Sequence, residues 1–229
     1  MMISGLQKLT LLDFPGRMAC TVFLPGCDLR CPFCHNSELW GGGAPLMDDG
    51  GLLRFLETRR GMLDGVAFTG GEALLSPGLP ELMRRVRALG YAIKLDTNGT
   101  HPELLESLIG EGLLDYAAMD IKNDRERYPL TCGMEGMDIG GIEKSIALLM
   151  EGRIPYEFRT TAVKPFHDES SFVHIAEMID GAENYYLQPF VDRDTVLYKG
   201  FEAPTAEEMK RFLDIVKPHV KHAEIRGME

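Results

Sequence analysis

Three cysteines lie close together near the amino terminus, with three and then two residues between them, at Cys27, Cys31 and Cys34. They are too crowded for a disulfide framework, and a metal site in a reducing compartment explains them better. A loop with this spacing can place three thiolates around one iron–sulfur cluster. Three ligands would leave one iron of a [4Fe–4S] cube open to a substrate or cofactor, which makes the site reactive.

A zinc site is the alternative for the same loop, with His35, Cys20 or Cys132 as the fourth ligand of a tetrahedron. Cys20 lies in an apolar segment and Cys132 in a later loop, where a free cysteine commonly packs as a small hydrophobe. His35 could donate a hydrogen bond to a cluster or lie at the surface, so we leave it out of the ligand set. The predicted metal ligands are Cys27, Cys31 and Cys34.

A second group of interest, Gly70-Gly71-Glu72, directly follows the apolar segment that ends at Thr69. Paired glycines let the backbone approach a ligand, and the Glu72 carboxylate could accept a hydrogen bond from an ammonium group. Taken alone, the two glycines are more typical of an ordinary strand-to-helix turn. The cysteine loop upstream favours the binding interpretation.

The elements that must position these residues alternate along the chain between short apolar segments and stretches of helical periodicity. We predict strands over residues 19–24, 66–69, 92–97, 116–121, 156–161, 185–188 and 222–225. We predict helices over residues 52–59, 79–89, 102–109, 142–151, 170–179 and 206–216, the last of them capped by Thr205. Serial βα units form a barrel or an open doubly wound sheet, and six units are fewer than the eight of a closed barrel.

Composition excludes some classes of function. The 24 basic and 35 acidic residues give a net charge of -11, and no run rich in Lys and Arg could follow a phosphate backbone, so we expect no nucleic-acid partner. No segment reaches the roughly 18 apolar residues of a membrane span. We expect one domain over residues 1–229 in a soluble, cytoplasmic protein.

The cysteine motif contains an aromatic residue at Phe33 and is followed along the chain by Gly70-Gly71-Glu72. In these features the sequence resembles the radical S-adenosylmethionine (SAM) superfamily. Ala73 stands where that family often has proline. Further matching segments are Gly5-Leu6-Gln7-Lys8, Asp13-Phe14-Pro15-Gly16, Cys34-His35-Asn36, Leu95-Asp96-Thr97-Asn98-Gly99 and Met119-Asp120-Ile121-Lys122. Together they are similar to the activases of anaerobic ribonucleotide reductase and pyruvate formate-lyase. The resemblance, weaker after Thr161, implies an α/β fold with a partial (β/α)6 barrel of the radical SAM type.

The resemblance also implies roles for individual residues. Asp96, Thr97 and Asp120 would lie beside the cofactor, some of them around a monovalent cation, and Lys122 and Arg159 near its carboxylate or ribose. The full set of implied SAM-binding residues is Phe33, Gly70, Gly71, Glu72, Asp96, Thr97, Asp120, Lys122 and Arg159. A structural interpretation stays open, because residues 96–99 form a typical turn sequence and Lys122 or Arg159 could pair with surface acids.

The reaction that the resemblance implies begins with reduction of SAM by a [4Fe–4S] cluster, which gives methionine and a 5′-deoxyadenosyl radical. This radical would abstract hydrogen from a glycine of a partner glycyl radical enzyme, such as anaerobic ribonucleotide reductase, with flavodoxin or ferredoxin as electron donor. The protein would supply orientation and exclude water and oxygen, while the cofactors carry the chemistry. Two alternatives are a radical SAM synthase acting on a small molecule and a non-catalytic, zinc-stabilised binding module.

Overall fold

A computed structural model describes residues 1–228 and shows an α/β protein with one large sheet. The strands are β1 (Met2–Ile3), β2 (Gly5–Thr10), β3 (Ala19–Leu24), β4 (Met47–Asp48), β5 (Gly65–Gly70), β6 (Ala92–Thr97), β7 (Tyr116–Asp120), β8 (Tyr156–Ala162), β9 (Asn184–Pro189) and β10 (His222–Ile225). The helices are α1 (Asp49–Glu57), α2 (Leu79–Ala88), α3 (Pro102–Gly110), α4 (Tyr128–Thr131), α5 (Gly140–Met150), α6 (Glu169–Met178) and α7 (Ala206–Val216).

The large sheet has the strand order β2-β3-β5-β6-β7-β8-β9-β10. All neighbouring pairs from β3 to β10 are parallel, whereas β2 is antiparallel to β3. In this parallel part, strands that are neighbours in the large sheet also follow one another in the order of its strands along the chain. Every crossover connection therefore has the same handedness. The sheet therefore forms a partial barrel, with β2 and β10 as its edges in the described part of the chain. This confirms the expected α/β fold class.

All seven predicted strands and all six predicted helices are present, with boundaries displaced by at most three residues. The sequence reasoning missed β1, β2, β4 and α4. Strand β2 lies at the edge of the sheet, and its residues 7–9 are exposed, so its hydrophobic alternation is weak. Helix α4 has four residues, which is too short for a 3.6-residue period to be visible.

The parallel strands have two different faces because successive side chains point in opposite directions. In β6, Ile93 and Leu95 are fully buried in the main hydrophobic core. Lys94 and Asp96 lie on the other face, inside the barrel, and pair with each other. The barrel interior is therefore polar near its mouth, although the Lys94 side chain is only 1% exposed.

The last helix begins at the predicted cap. The Thr205 hydroxyl accepts a hydrogen bond from the Glu208 amide at 3.2 Å, and Glu208 Oε2 accepts one from the Thr205 amide at 2.7 Å. This reciprocal capping box satisfies two backbone donors that the first turn leaves without helical partners. Helix α7 then packs against α6 and β10 on the outside of the barrel.

None of the helices within residues 1–228 is long and apolar enough to cross a membrane. The longest, α5 and α7, have 11 residues each. A membrane-spanning helix needs about 20 apolar residues.

Candidate functional site

The cysteine loop leaves the carboxyl end of β3 and is held by its own backbone. The Cys34 amide donates to the Cys31 carbonyl oxygen at 3.0 Å, which closes a turn. Two amides also donate to the thiols: Leu29 N to Cys27 Sγ at 3.4 Å, and Asn36 N to Cys34 Sγ at 3.3 Å. The loop thus fixes the positions of its sulfur atoms through local hydrogen bonds.

The three thiols have different surroundings. Burial raises the pKa of Cys27 to about 12 and also raises the pKa of Cys34. The pKa of Cys31 is lowered instead, chiefly through the neighbouring thiol of Cys132. Metal ligation requires thiolates, so binding of a metal by these thiols would release protons. Cys132, which the sequence predicts to pack as a small hydrophobe, is fully buried, and its carbonyl oxygen accepts a hydrogen bond from the Arg30 amide of the cysteine loop at 2.9 Å.

A cavity of about 210 Å³ opens beside this loop at the carboxyl ends of the strands. All three cysteines line it. Eight of the nine predicted SAM-binding residues line it as well: Phe33, Gly70, Gly71, Asp96, Thr97, Asp120, Lys122 and Arg159. The ninth, Glu72, lies behind the wall. The structure thus gathers residues from β5, β6, β7 and β8 at the end of the sheet where parallel barrels place their functional groups.

The sequence reasoning did not include several other side chains of the cavity wall, namely Leu29, His35, Asn36, Trp40, Thr69, Asn98 and Thr161. Asn36 and Asn98 lie in segments that resemble the family, and strand alternation places Thr161 on the same face as Arg159. Trp40 had no sequence signal. Asn98 Nδ2 donates to Asp28 Oδ1 at 2.9 Å, which ties the end of β6 to the cysteine loop.

The paired glycines are required by backbone packing. A Cβ at Gly70 would lie 2.2 Å from the Leu24 carbonyl oxygen, and Gly70 has a φ of +132°. A Cβ at Gly71 would lie 1.9 Å from the Gly26 carbonyl oxygen. These distances are shorter than any allowed contact, so only glycine lets the end of β5 lie against the start of the cysteine loop. The glycines also leave the cavity wall free of side chains there.

Glu72 is completely buried, and its carboxylate accepts three hydrogen bonds. Oε1 accepts from the Leu74 amide and the Thr97 hydroxyl, each at 3.0 Å, and Oε2 accepts from the Asn98 amide at 2.7 Å. Burial raises the pKa of Glu72 to about 7, although these donors favour the ionised form. The structure therefore places this carboxylate as a link between the ends of β5 and β6, facing away from the cavity.

Five charged side chains form a network at the mouth of the barrel. Arg159 donates from Nε to Asp120 Oδ1 at 3.0 Å and from Nη1 to Asp96 Oδ2 at 3.4 Å. Lys122 Nζ donates to Asp120 Oδ2 at 2.9 Å, and Lys94 pairs with Asp96. Three cations against two carboxylates leave one net positive charge. The network can therefore attract an anionic group, such as the carboxylate of an amino acid.

The same pairing bears on the expected monovalent cation. Protein cations already neutralise both carboxylates that would have to bind it, Asp96 and Asp120. The network gives such a cation no support, and it stays a prediction from the resemblance.

Phe33 holds the cysteine loop against the last part of the barrel. Its ring packs on the rings of Phe166, Phe190 and Phe201, with centroids 5.7 to 6.4 Å apart. Edge-to-face and tilted arrangements at these distances are favourable for aromatic pairs. The apolar contact closes one side of the cavity wall next to Cys34.

The arrangement of donors fits an iron–sulfur cluster. The three thiols line a shared cavity, which suits a multi-iron cluster ligated by cysteine. Within residues 1–228, no group of three or more His, Cys, Asp or Glu side chains is placed to hold a single metal ion. The residues present therefore fit a [4Fe–4S] cluster with three protein ligands.

Comparison with known proteins agrees with this geometry. The family model described as the radical SAM superfamily matches residues 21–179. The chain is 31% identical over 244 residues to a provisionally named glycyl-radical enzyme activating enzyme of Methanocaldococcus jannaschii, covering 98% of this chain and 95% of that protein. It is 33% identical over 138 residues to a pyruvate formate-lyase-activating enzyme of Clostridium pasteurianum, covering 57% of each. A crystal structure of Streptococcus suis SuiB bound to S-adenosylmethionine has the same fold, with a TM-score of 0.67 and 12% identity over 91% of this chain and 52% of that chain.

Proposed function

Because this chain belongs to the radical SAM superfamily, we propose that it cleaves SAM reductively and uses the resulting radical to activate a partner glycyl radical enzyme. The family implies a [4Fe–4S] cluster and SAM as cofactors. We assign Cys27, Cys31 and Cys34 as the cluster ligands. The observation that carries this proposal is that three cysteines and eight of nine expected SAM-binding residues line one cavity.

The chain's own residues would bind and orient the cofactors. When bound, the reduced cluster supplies the electron that splits SAM into methionine and a 5′-deoxyadenosyl radical. The net positive charge of the Arg159 network suits the SAM carboxylate, and Gly70 and Gly71 leave room for the ligand beside the cysteine loop. Thr97 and Asn98 are positioned by Glu72 and complete the wall. This division of work leaves the bond chemistry to the cofactors.

The identity of the partner rests on relatives. The proteins of Methanocaldococcus jannaschii and Clostridium pasteurianum both carry names of glycyl-radical or pyruvate formate-lyase activators. We assign anaerobic ribonucleotide reductase, or an enzyme like it, as the partner, with flavodoxin or ferredoxin as the electron donor. The edges at β2 and β10 leave the barrel incompletely closed, which suits entry of an extended glycine-bearing loop. We also assign the whole of residues 1–229 to one domain.

The first experiment tests the cluster and its use of SAM. The protein is reconstituted anaerobically with iron and sulfide, reduced, and studied by electron paramagnetic resonance with and without SAM. Cys31→Ala removes one predicted ligand, and Cys20→Ala is the matched control because Cys20 is buried in β3 away from the cavity. We expect about four irons, a signal that SAM changes, and 5′-deoxyadenosine in wild type and Cys20→Ala. Stoichiometric zinc with no such signal would overturn the proposal.

The second experiment tests the substrate. The reduced enzyme and SAM are mixed with an anaerobic ribonucleotide reductase or a pyruvate formate-lyase from the same cell. A glycyl radical doublet on the partner, formed with wild type and not with Cys31→Ala, would support the activase assignment. SAM cleavage without any such doublet, stimulated by a small molecule, would favour the synthase alternative.

A further inference from the structure

The loop that carries Lys122 begins where the strand pairing of β7 ends. The last residues in register between β7 and β8 are Asp120 and Arg159, so Lys122 lies two residues beyond the sheet. Its side chain nevertheless lines the cavity, and its Nζ donates to Asp120 Oδ2 at 2.9 Å. A lysine side chain is long and flexible, and its reach depends on where its backbone lies. Contacts outside the sheet must therefore hold the backbone at Lys122.

Three buried side chains provide these contacts, and we call Tyr128, Thr160 and His167 the buried clamp. Each is at most 3% exposed. The Tyr128 hydroxyl accepts from the Lys122 amide at 3.2 Å, and Thr160 Oγ1 donates to the Ile121 carbonyl oxygen at 2.8 Å. His167 Nε2 donates to the Lys122 carbonyl oxygen at 2.8 Å. Both backbone polar groups of Lys122 thus have a buried side-chain partner.

The buried clamp is assembled from α4, β8 and the loop before α6, and none of its three residues lines the cavity. The Tyr128 hydroxyl also donates to the Asp120 carbonyl oxygen at 3.4 Å. The residue after Lys122, Asn123, is fully buried, and its Nδ2 donates to Thr131 Oγ1 at 2.8 Å and to the Phe166 carbonyl oxygen at 2.9 Å. Burial of polar side chains has a desolvation cost, which the backbone groups they satisfy offset here. The clamp can therefore act on the cavity through the backbone that it holds.

The buried clamp has a role that the proposed function does not yet include. We propose that it positions Lys122 for SAM, which makes Tyr128, Thr160 and His167 positioning residues of the SAM site. The inference rests on the proposed function, because it takes Lys122 to contact SAM. A backbone that is fixed before SAM arrives has less conformational freedom to lose on binding, and this raises the affinity. Loss of one clamp bond should weaken SAM binding although no group that touches the cofactor is removed.

A double-mutant cycle tests whether Tyr128 acts through Lys122. Calorimetry measures SAM affinity on protein loaded with the oxidised cluster, which has no electron to cleave SAM. Tyr128→Phe should weaken the affinity about fivefold in the wild-type background. It should cause no further loss in a Lys122→Met protein, because the side chain that the clamp positions is then absent. Tyr91→Phe is the matched control, since it removes another buried hydroxyl, which donates to the Leu56 carbonyl oxygen at 2.6 Å.

The cycle separates the inference from the proposed function. An unchanged affinity in Tyr128→Phe, or an equal loss with and without the Lys122 side chain, would overturn the inference and leave the proposed function intact. A wild-type protein that binds no SAM would overturn both. A Tyr91→Phe protein as weak as Tyr128→Phe would show a general effect of buried hydroxyls and would also overturn the inference.

Two variants of His167 cover the case in which Tyr128→Phe fails to fold. His167→Gln places an amide nitrogen near the position of Nε2, whereas the shorter His167→Asn places one near Nδ1, out of reach of the Lys122 carbonyl oxygen. We expect His167→Gln to keep most of the SAM affinity and His167→Asn to lose as much as Tyr128→Phe. Equal affinities in these two variants would overturn the inference.

Hydrogen exchange of the wild-type protein without cluster or SAM gives a further test. The Lys122 amide lies outside the strands, but its bond to the Tyr128 hydroxyl should protect it as strongly as the amides within β7. Mass spectrometry with fragmentation measures this protection residue by residue. An unprotected Lys122 amide would overturn the inference, because the backbone would not be fixed before SAM binds.

Discussion

Asp120 and Arg159 are direct partners in the register of β7 and β8, and Arg159 Nε donates to Asp120 Oδ1 at 3.0 Å. Burial opposes ionisation of Asp120, but Arg159 and Lys122 outweigh it and hold the pKa of this carboxyl below its usual range. Arg159 also reaches Asp96 on β6. One guanidinium therefore joins three strand ends at the place where the cavity wall is charged.

Replacement of this guanidinium should weaken both the fold and cofactor binding. Arg159→Leu leaves two partly buried carboxylates without their shared partner, which we expect to cost about 3 kcal/mol in the free energy of unfolding. It also removes the net positive charge, so affinity for SAM should fall at least tenfold. Arg159→Lys keeps the charge but loses the planar fork, so we expect an intermediate affinity. Urea unfolding and calorimetric titration with SAM measure the two effects; equal affinity in Arg159→Leu and wild type would contradict the assignment.

Glu72→Gln should act through the end of β6. An amide keeps one acceptor oxygen and presents an NH2 group to a backbone or hydroxyl donor, so one of the three hydrogen bonds must be lost. We expect a loss of about 2 kcal/mol in unfolding free energy. We also expect faster hydrogen exchange at the Asn98 amide, followed by mass spectrometry. Glu103→Gln, on the exposed face of α3, is the control, and a Glu72→Gln protein with wild-type exchange would refute this role.

Gly71→Ala tests whether the glycine pair is needed for packing. The new Cβ would meet the Gly26 carbonyl oxygen at 1.9 Å, so the cysteine loop has to move. We expect the iron content after reconstitution to fall well below that of wild type and the unfolding free energy to fall by about 3 kcal/mol. Gly41→Ala is the matched control, because a Cβ there meets nothing within 4 Å. Full iron content in Gly71→Ala would show that the loop tolerates the displacement.

The start of α6 should make stability depend on pH. The hydrogen bond from Arg127, with help from the Ser171 amide, lowers the pKa of Asp168 to about 2. Because the pKa is lower in the folded state than in the unfolded chain, this stabilisation is present above about pH 4 and is lost as pH falls towards 2. Asp168→Ala should cost about 1 kcal/mol near neutral pH and clearly less near pH 2, where part of the folded-state carboxylate is protonated. Unfolding curves over this range measure the difference, and a cost independent of pH would rule out the ionised cap.

The local sequence pattern was sufficient to predict the parallel part of the fold. Apart from β4 and α4, the strands and helices from β3 onwards are long enough to show their periods, and the serial βα order leaves little choice of topology. The half-exposed edge strand β2 and the single turn α4 have no such pattern. They form because neighbours already present in the folded chain offer them hydrogen bonds and apolar contacts.

The sequence alone determined which residues could do chemistry: the spacing of Cys27, Cys31 and Cys34 and the strand-end positions of Asp96, Asp120 and Arg159. Their meeting at one cavity follows from parallel strands, whose carboxyl ends share one edge of the sheet. Tertiary structure alone decided that Glu72 turns away from the cavity and that Lys94 joins the charged network. These outcomes depend on contacts between segments far apart in the chain, where burial and close backbone packing select one partner among several that the local sequence allows.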